Sequence, residues 1–183
     1  MARTEHFVGL DIGSQTIRVV VAARPENNNG VIILDAVEVP ADGMRKGAVV
    51  SPDATAKSIQ KAIFEIRKSS GIVIDHAMVS IGDPRISTYV STGTVSVSRA
   101  DGEVTREDVS RAHEASEDAL PRLGNREIIH SLPLFYSIDK ETDIREPVGL
   151  TGMKLEVEML FVASFTQHLK NIFKAIELAG LAA

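Results

Sequence analysis

Three runs near the start of this chain, Phe7–Ile12, Ile17–Ala22 and Val31–Val39, alternate in polarity and are rich in valine and isoleucine. Alternation puts every second side chain on one face, so each run predicts a strand with at least one buried side. Turn-forming residues separate them, most plainly Asn27-Asn28-Asn29-Gly30. Strands this close along the chain pair antiparallel, and the opening predicts a three-stranded meander. Pro40-Ala41-Asp42-Gly43 ends it, and Gly43 to Gly47 (GMRKG) reads as a basic, glycine-bracketed loop.

A helix follows. Ser51 can cap it, Pro52 suits the first helical position, and Asp53 favours the positive end of the dipole. Ala56, Ile59, Ile63 and Ile66 recur at helical spacing before Gly71 closes the segment. Ile72–Ile81, nearly continuous in apolar residues, predicts a strand buried on both faces. After Gly82-Asp83-Pro84 the texture changes. Arg85–Val90 and Gly93–Ser98 read as short strands paired through Ser91-Thr92-Gly93, and Asp101-Gly102 as a turn. Thr105–Asp108 is a capping box that opens a helix to about Ala119. Glu127–Asp139 and Lys154–Ala163 predict two more strands joined by a polar loop. The expected order from about residue 85 to 163 is thus β-β-α-β-β. A second capping box, Ser164–Gln167, predicts a helix with Phe165, Leu169, Ile172, Phe173 and Ile176 on one stripe, ended by Gly180. That stripe wants a sheet, and an amphipathic helix followed only by GLAA is the pattern expected of a longer protein cut short.

Composition removes whole classes of function. A formal charge of -5 argues against a binder that tracks a nucleic-acid backbone. The absence of cysteine excludes disulfides and thiolate chemistry and fits a cytoplasmic setting. There is neither a signal pattern at the start nor an apolar run approaching the roughly 20 residues of a membrane span.

Few residues carry chemistry. The bend Asp11-Ile12-Gly13-Ser14-Gln15 can present backbone N–H groups to a phosphate, with Ser14 adding a hydroxyl and Asp11 holding Mg²⁺ through water. It can equally be a plain hairpin. Asp11 sits between Leu10 and Ile12, and a buried carboxylate there needs a partner or a cation. GMRKG can touch an anion or merely connect. His6, His76, His113, His130 and His168 lack metal-ligand spacing, and no nucleophile elbow occurs. Glu156 and Glu158, beside Lys154, read best as a salt-linked sheet face, and Glu114, Glu117 and Asp118 as a wet helix face or a surface for a basic partner.

Taken together, several stretches resemble the bacterial cell-division FtsA family. LDIGS, residues 10–14, looks like the first phosphate motif of the actin and sugar-kinase superfamily. GMRKGAVV (43–50), SIGDPRI (80–86), the spaced residues His130, Pro133, Tyr136, Ile138 and Asp139, and EPVGLTGMKLEVEM (146–159) are more specific to FtsA. The resemblance implies an α/β chain. Residues 1–83 with 164–183 would form part of an actin-like (ribonuclease H-like) subdomain, and 84–163 an inserted SHS2-type α+β subdomain. It further implies that Asp11, Gly13, Ser14 and Gln15 line the phosphates of ATP and its Mg²⁺, as one wall of a site whose second hairpin is missing here. Weak or no ATP binding and no ATPase activity are therefore expected of this chain alone. The inserted subdomain would serve self-association and recruitment of later division proteins. Contacts with FtsZ and with the cytoplasmic face of the membrane are implied for the complete protein. A PilM-like pilus-assembly protein and part of an actin-fold sugar kinase are the alternatives.

Overall fold

The structure, a computed structural model, describes residues 5–25, 30–83 and 85–182. The chain divides into two compact units, Met1–Pro84 with Gln167–Ala183, and Arg85–Thr166. In the first, β1 (Glu5–Ile12), β2 (Thr16–Arg24) and β3 (Ile32–Pro40) pair antiparallel in succession, as the alternation predicts. The asparagine turn between the last two falls outside the described residues. Register sets Val8 opposite Val21, Leu10 opposite Val19 and Ile12 opposite Ile17, which gathers the branched side chains on one buried face.

GMRKG is a hairpin rather than a plain loop. β4 (Met44–Arg45) pairs with β5 (Ala48–Val49) across Lys46-Gly47. Both turn residues have positive φ, 49° and 78°, the backbone that a two-residue hairpin with native twist requires. α1 (Pro52–Ser70) follows as read, with the Ser51 side chain accepting from the Ala54 N–H and Gly71 left-handed at its end. Ile59, Ala62 and Ile66 enter the core beneath the sheet.

The reading of Ile72–Ile81 as one strand buried on both sides does not hold. Only Met78–Ser80 form β6, parallel to β1 at the sheet edge, and Met78 is 73% exposed. Helices cover one face of this sheet, so an apolar run there alternates: Ala77, Val79 and Ile81 pack inward while Val73 and Met78 face out. The sheet order is β3-β2-β1-β6.

The second unit corrects the expected β-β-α-β-β order to β-α-β-β-β. Residues read as two paired strands are one, β7 (Ser87–Ser96). Gly93 is not a turn: a Cβ there would stand 1.9 Å from the Ala112 carbonyl oxygen. The glycine lets α2 (Arg106–Asp118) lie directly on the strand. β8 (Arg126–Ile138) then turns through Asp139 and Lys140, both at positive φ, into β9 (Glu141–Ile144), a strand hidden in the segment read as a polar loop. β10 (Lys154–Phe165) completes an antiparallel sheet of order β7-β10-β8-β9. Leu155, Val157, Met159 and Phe161 of β10 form its core with Val104, Ala112, Tyr136 and Ile138.

α3 (Thr166–Leu178) follows β10 directly. The capping box expected at Ser164–Gln167 is not made: Ser164 still lies within β10, and its buried hydroxyl has no hydrogen-bond partner among the described residues. The buried stripe is His168, Leu169, Ile172, Ala175 and Ile176, whereas Phe173 falls on the flank and is exposed. Ile172, Ala175 and Ile176 join the core of the first unit, and Gly180 ends the segment at φ 86°. Among the described residues no helix is long and apolar enough to cross a membrane.

Candidate functional site

The β1–β2 turn is where the first unit concentrates its polar groups. Gly13 donates its N–H to the Thr16 carbonyl at 3.0 Å and closes the bend. A Cβ at this position would meet that same carbonyl oxygen at 2.7 Å, so the turn itself requires glycine. The Gly13 N–H is thus spent within the turn and is not presented outward. Gln15 anchors the turn from behind, its carbonyl accepting from the Ala41 N–H at 2.9 Å.

Ser14 carries the turn to its neighbour. Its Oγ accepts the Gly47 N–H at 2.7 Å, pinning the β1–β2 turn to the β4–β5 turn. A hydroxyl that accepts in this way keeps its own proton for donation. The two turns, joined by Gly82 and Asp83, line an open depression of about 670 Å³ whose walls include Asp11, Gly13, Ser14, Lys46 and Gly47. Three of the four residues singled out in the bend therefore meet at one surface, and Gln15 supports it through its backbone.

Asp11 is not the buried carboxylate that its neighbours suggested. Alternation along β1 sends Leu10 and Ile12 into the core and Asp11 to the opposite face, where its side chain is 46% exposed. Ser80 of β6 donates to its Oδ1 at 2.5 Å, and Arg18 of β2 stands 3.4 Å from its Oδ2. Arg18 also donates to Glu38 at 2.6 Å; that bond and the charge of Glu38, with Asp11 adding less, raise the guanidinium pKa further. A carboxylate so engaged fits a magnesium ion held through its water shell better than one bound directly. Among the described residues no group of three His, Cys, Asp or Glu is placed to hold a metal.

Asp83 is the site residue that sequence reasoning passed over. Between Gly82 and Pro84 it read as part of a boundary turn, yet it is buried and lines the same depression. His168 of α3 lies behind it, Nε2 4.0 Å from Asp83 Oδ2. The available signal was an acidic residue just beyond a strand that runs parallel to β1, which brings it to the same sheet end as the Asp11–Ser14 bend.

The second unit has an opening of about 500 Å³, lined among others by Thr94, Ser96, Arg99, Met153 and Lys154. The most fully matched polar group of this unit is Asp108, at its centre. Fully buried, Asp108 accepts from the Ser98 N–H at 3.0 Å, the Thr105 N–H at 2.9 Å and the Thr105 hydroxyl at 2.7 Å, and pairs with Arg111. Burial alone would raise its pKa, but these donors hold it well below the usual carboxylate range. Glu156 is bonded by Lys154 at 3.0 Å, which lowers its pKa, so the sheet face is salt-linked as read.

Comparison with known proteins bears on both units. Residues 84–163 match the family described as "SHS2 domain inserted in FTSA". "Cell division protein FtsA" of Pseudomonas aeruginosa is 33% identical over 96% of this chain and 41% of its own length. The Bacillus subtilis protein of the same name is 29% identical over 99% of this chain and 40% of its own length. The chain thus spans about two fifths of these relatives. Among solved structures, a chain of the "PilM-PilN type IV pilus biogenesis complex" superposes with a TM-score of 0.58 at 16% identity. It covers 96% of this chain and 45% of its own length, and shows a shared actin-like α/β fold.

Proposed function

We propose that the chain is part of an FtsA-type protein and that it supplies one wall of an ATP site together with the assembly module of a cell-division scaffold. In this reading the β1–β2 turn faces the phosphates of ATP. Ser14 donates its hydroxyl, Lys46 supplies a cation, and Gln15 braces the turn from behind. Asp11 would orient the water shell of Mg²⁺, whose contribution when bound is to neutralise phosphate charge, while the buried Asp83 supports the depression from beneath. Gly13 keeps the turn tight enough for a ligand to approach its backbone.

The observation that supports this is the convergence of Asp11, Ser14 and Lys46 on one open depression, whose two turns are tied together by the Gly47-to-Ser14 hydrogen bond. One wall offers too few donors to repay immobilising a nucleotide, so binding by this chain alone is expected to be weak or undetectable. Calorimetric titration with ATP and Mg²⁺ tests the point. In a longer FtsA-type protein, Asp11→Asn should weaken binding about tenfold, the scale of losing one charge-assisted contact. Low-micromolar affinity of the present chain would show that the turn is more than half a site.

The second unit carries the proposed assembly role, in self-association and in recruiting later division proteins. Links to FtsZ and to the cytoplasmic face of the membrane are proposed for the longer protein.

A further inference from the structure

α1 and α2 expose stripes of opposite charge. On α1 the outward positions Lys57, Lys61, Phe64 and Lys68 follow one another at intervals of four, three and four residues. None of the three lysines forms an ion pair among the described residues, and Phe64 is 62% exposed between them. On α2 the residues Asp118, Glu114, Arg111 and Glu107, taken backwards along the chain, run at the same intervals of four, three and four. Each stripe is about 16 Å long at the helical rise. In a chain of net charge -5, such a basic face is a segregated feature, and the acidic face that complements it lies in the other unit.

We propose that α1 of one copy of this chain docks antiparallel on α2 of a second copy. Laid together, Lys57 meets Asp118, Lys61 meets Glu114, and Lys68 meets Glu107. Phe64 falls against Arg111, whose side chain is 40% exposed although its guanidinium bonds Asp108 and the Ser96 carbonyl, and which can stack on the ring. Among the described residues Glu107 and Asp118 have no ion-pair partner, and Glu114 has a long contact from Ser110 at 3.5 Å. Because the two faces belong to different units, the contact is heterologous. Each single contact leaves one α1 face and one α2 face unused, so further copies can add through the same pair of surfaces. Exposed ion pairs make such a contact weak and salt-sensitive. The inference rests on the assembly role proposed above and names a surface for it.

Charge reversal tests it. Sedimentation velocity of the full chain over a range of concentrations at low salt should show association that grows with concentration and that high salt abolishes. Lys61→Glu and Glu114→Lys, each confirmed folded by circular dichroism, should each weaken that association by about tenfold or more. An equimolar mixture of the two variants should restore it, since each then offers the face its partner lacks, and the double variant should associate by itself. No loss of folding can mimic that rescue. Association that neither reversal weakens, or that mixing fails to restore, overturns the contact while leaving another assembly surface in force. A wild-type chain that stays monomeric throughout overturns it as well, and self-association of a longer FtsA-type protein measured alongside shows whether the assembly reading falls with it.

Discussion

The two units solve the same problem, a helix laid on a sheet, with opposite treatment of their polar groups. In the first, Asp11, Ser14 and Lys46 sit partly wet at the rim of a depression, with the buried Asp83 and His168 behind it. The second draws its central carboxylate inside and surrounds it with donors. Groups left at a rim remain available to a ligand, whereas groups satisfied internally fix a shape. The difference teaches that capacity for chemistry and rigidity are assigned to different stretches of one chain.

That contrast can be broken most forcefully at Gly93. A methyl group there would be driven into the Ala112 carbonyl of α2, a backbone atom that cannot swing aside. Gly93→Ala should destabilise the second unit by about 3 kcal/mol or more. Hydrogen exchange read segment by segment should show protection lost over β7 to β10 and retained over β1 to β3. Equal loss in both would mean that the units do not fold as separate bodies.

Asp108→Ala should come next, at about 2–3 kcal/mol, because it removes the α2 capping box and strands the Ser98 and Thr105 N–H groups. Urea unfolding measures it. The pH dependence has a definite sign. A carboxylate whose pKa is lowered on folding contributes stability that is complete above its unfolded value near 4 and is lost only as pH falls toward the folded value. Wild type should therefore lose a contribution in acid that the variant never had, and parallel acid curves for the two would refute the assignment.

The smallest effect concerns His113, whose Nε2 lies 2.7 Å from the Tyr136 hydroxyl on the face of α2 toward β8. Burial lowers its pKa, so folding favours the neutral ring. As pH drops below the unfolded histidine value near 6.5, the unfolded chain takes up a proton that the folded one resists, and stability falls. Melting temperature followed between about pH 7.5 and 5.5 should decline, and His113→Gln should flatten the decline. An unchanged slope would place the titration elsewhere.

What the sequence disclosed follows from how local each signal is. Ser51-Pro52-Asp53 and Gly71 bracket α1, and Thr105 with Asp108 opens α2, because capping is settled within a few residues. The opening meander was legible for the same reason. Failures came where a residue answers to something distant. Gly93 sits among serines and threonines and reads as a turn, yet its reason is a helix that comes later in the chain. β9 was invisible because it is an edge strand with little buried surface, reached through Asp139-Lys140 rather than an Asn-Gly pair. At the candidate site, Asp11 and Ser14 were legible from the bend, but their partners Ser80, Gly47 and Asp83 depend on β6 running parallel to β1 and on a hairpin tip meeting a turn. Tertiary placement of that kind has no sequence period.

β7 and β10 are the first and last strands of the second unit, and they lie side by side with Ser87 opposite Ala163. Entry and exit of the segment are therefore separated by one ladder rung, about 5 Å. A module whose ends meet so closely behaves as a cassette. It can be lifted out and its ends joined by a short linker, or exchanged for another segment of matching end spacing, without asking the host sheet to change its own connections. Portability of this kind gives variation a place to act: the inserted surface can diverge toward new partners while the turn that faces the depression is left alone.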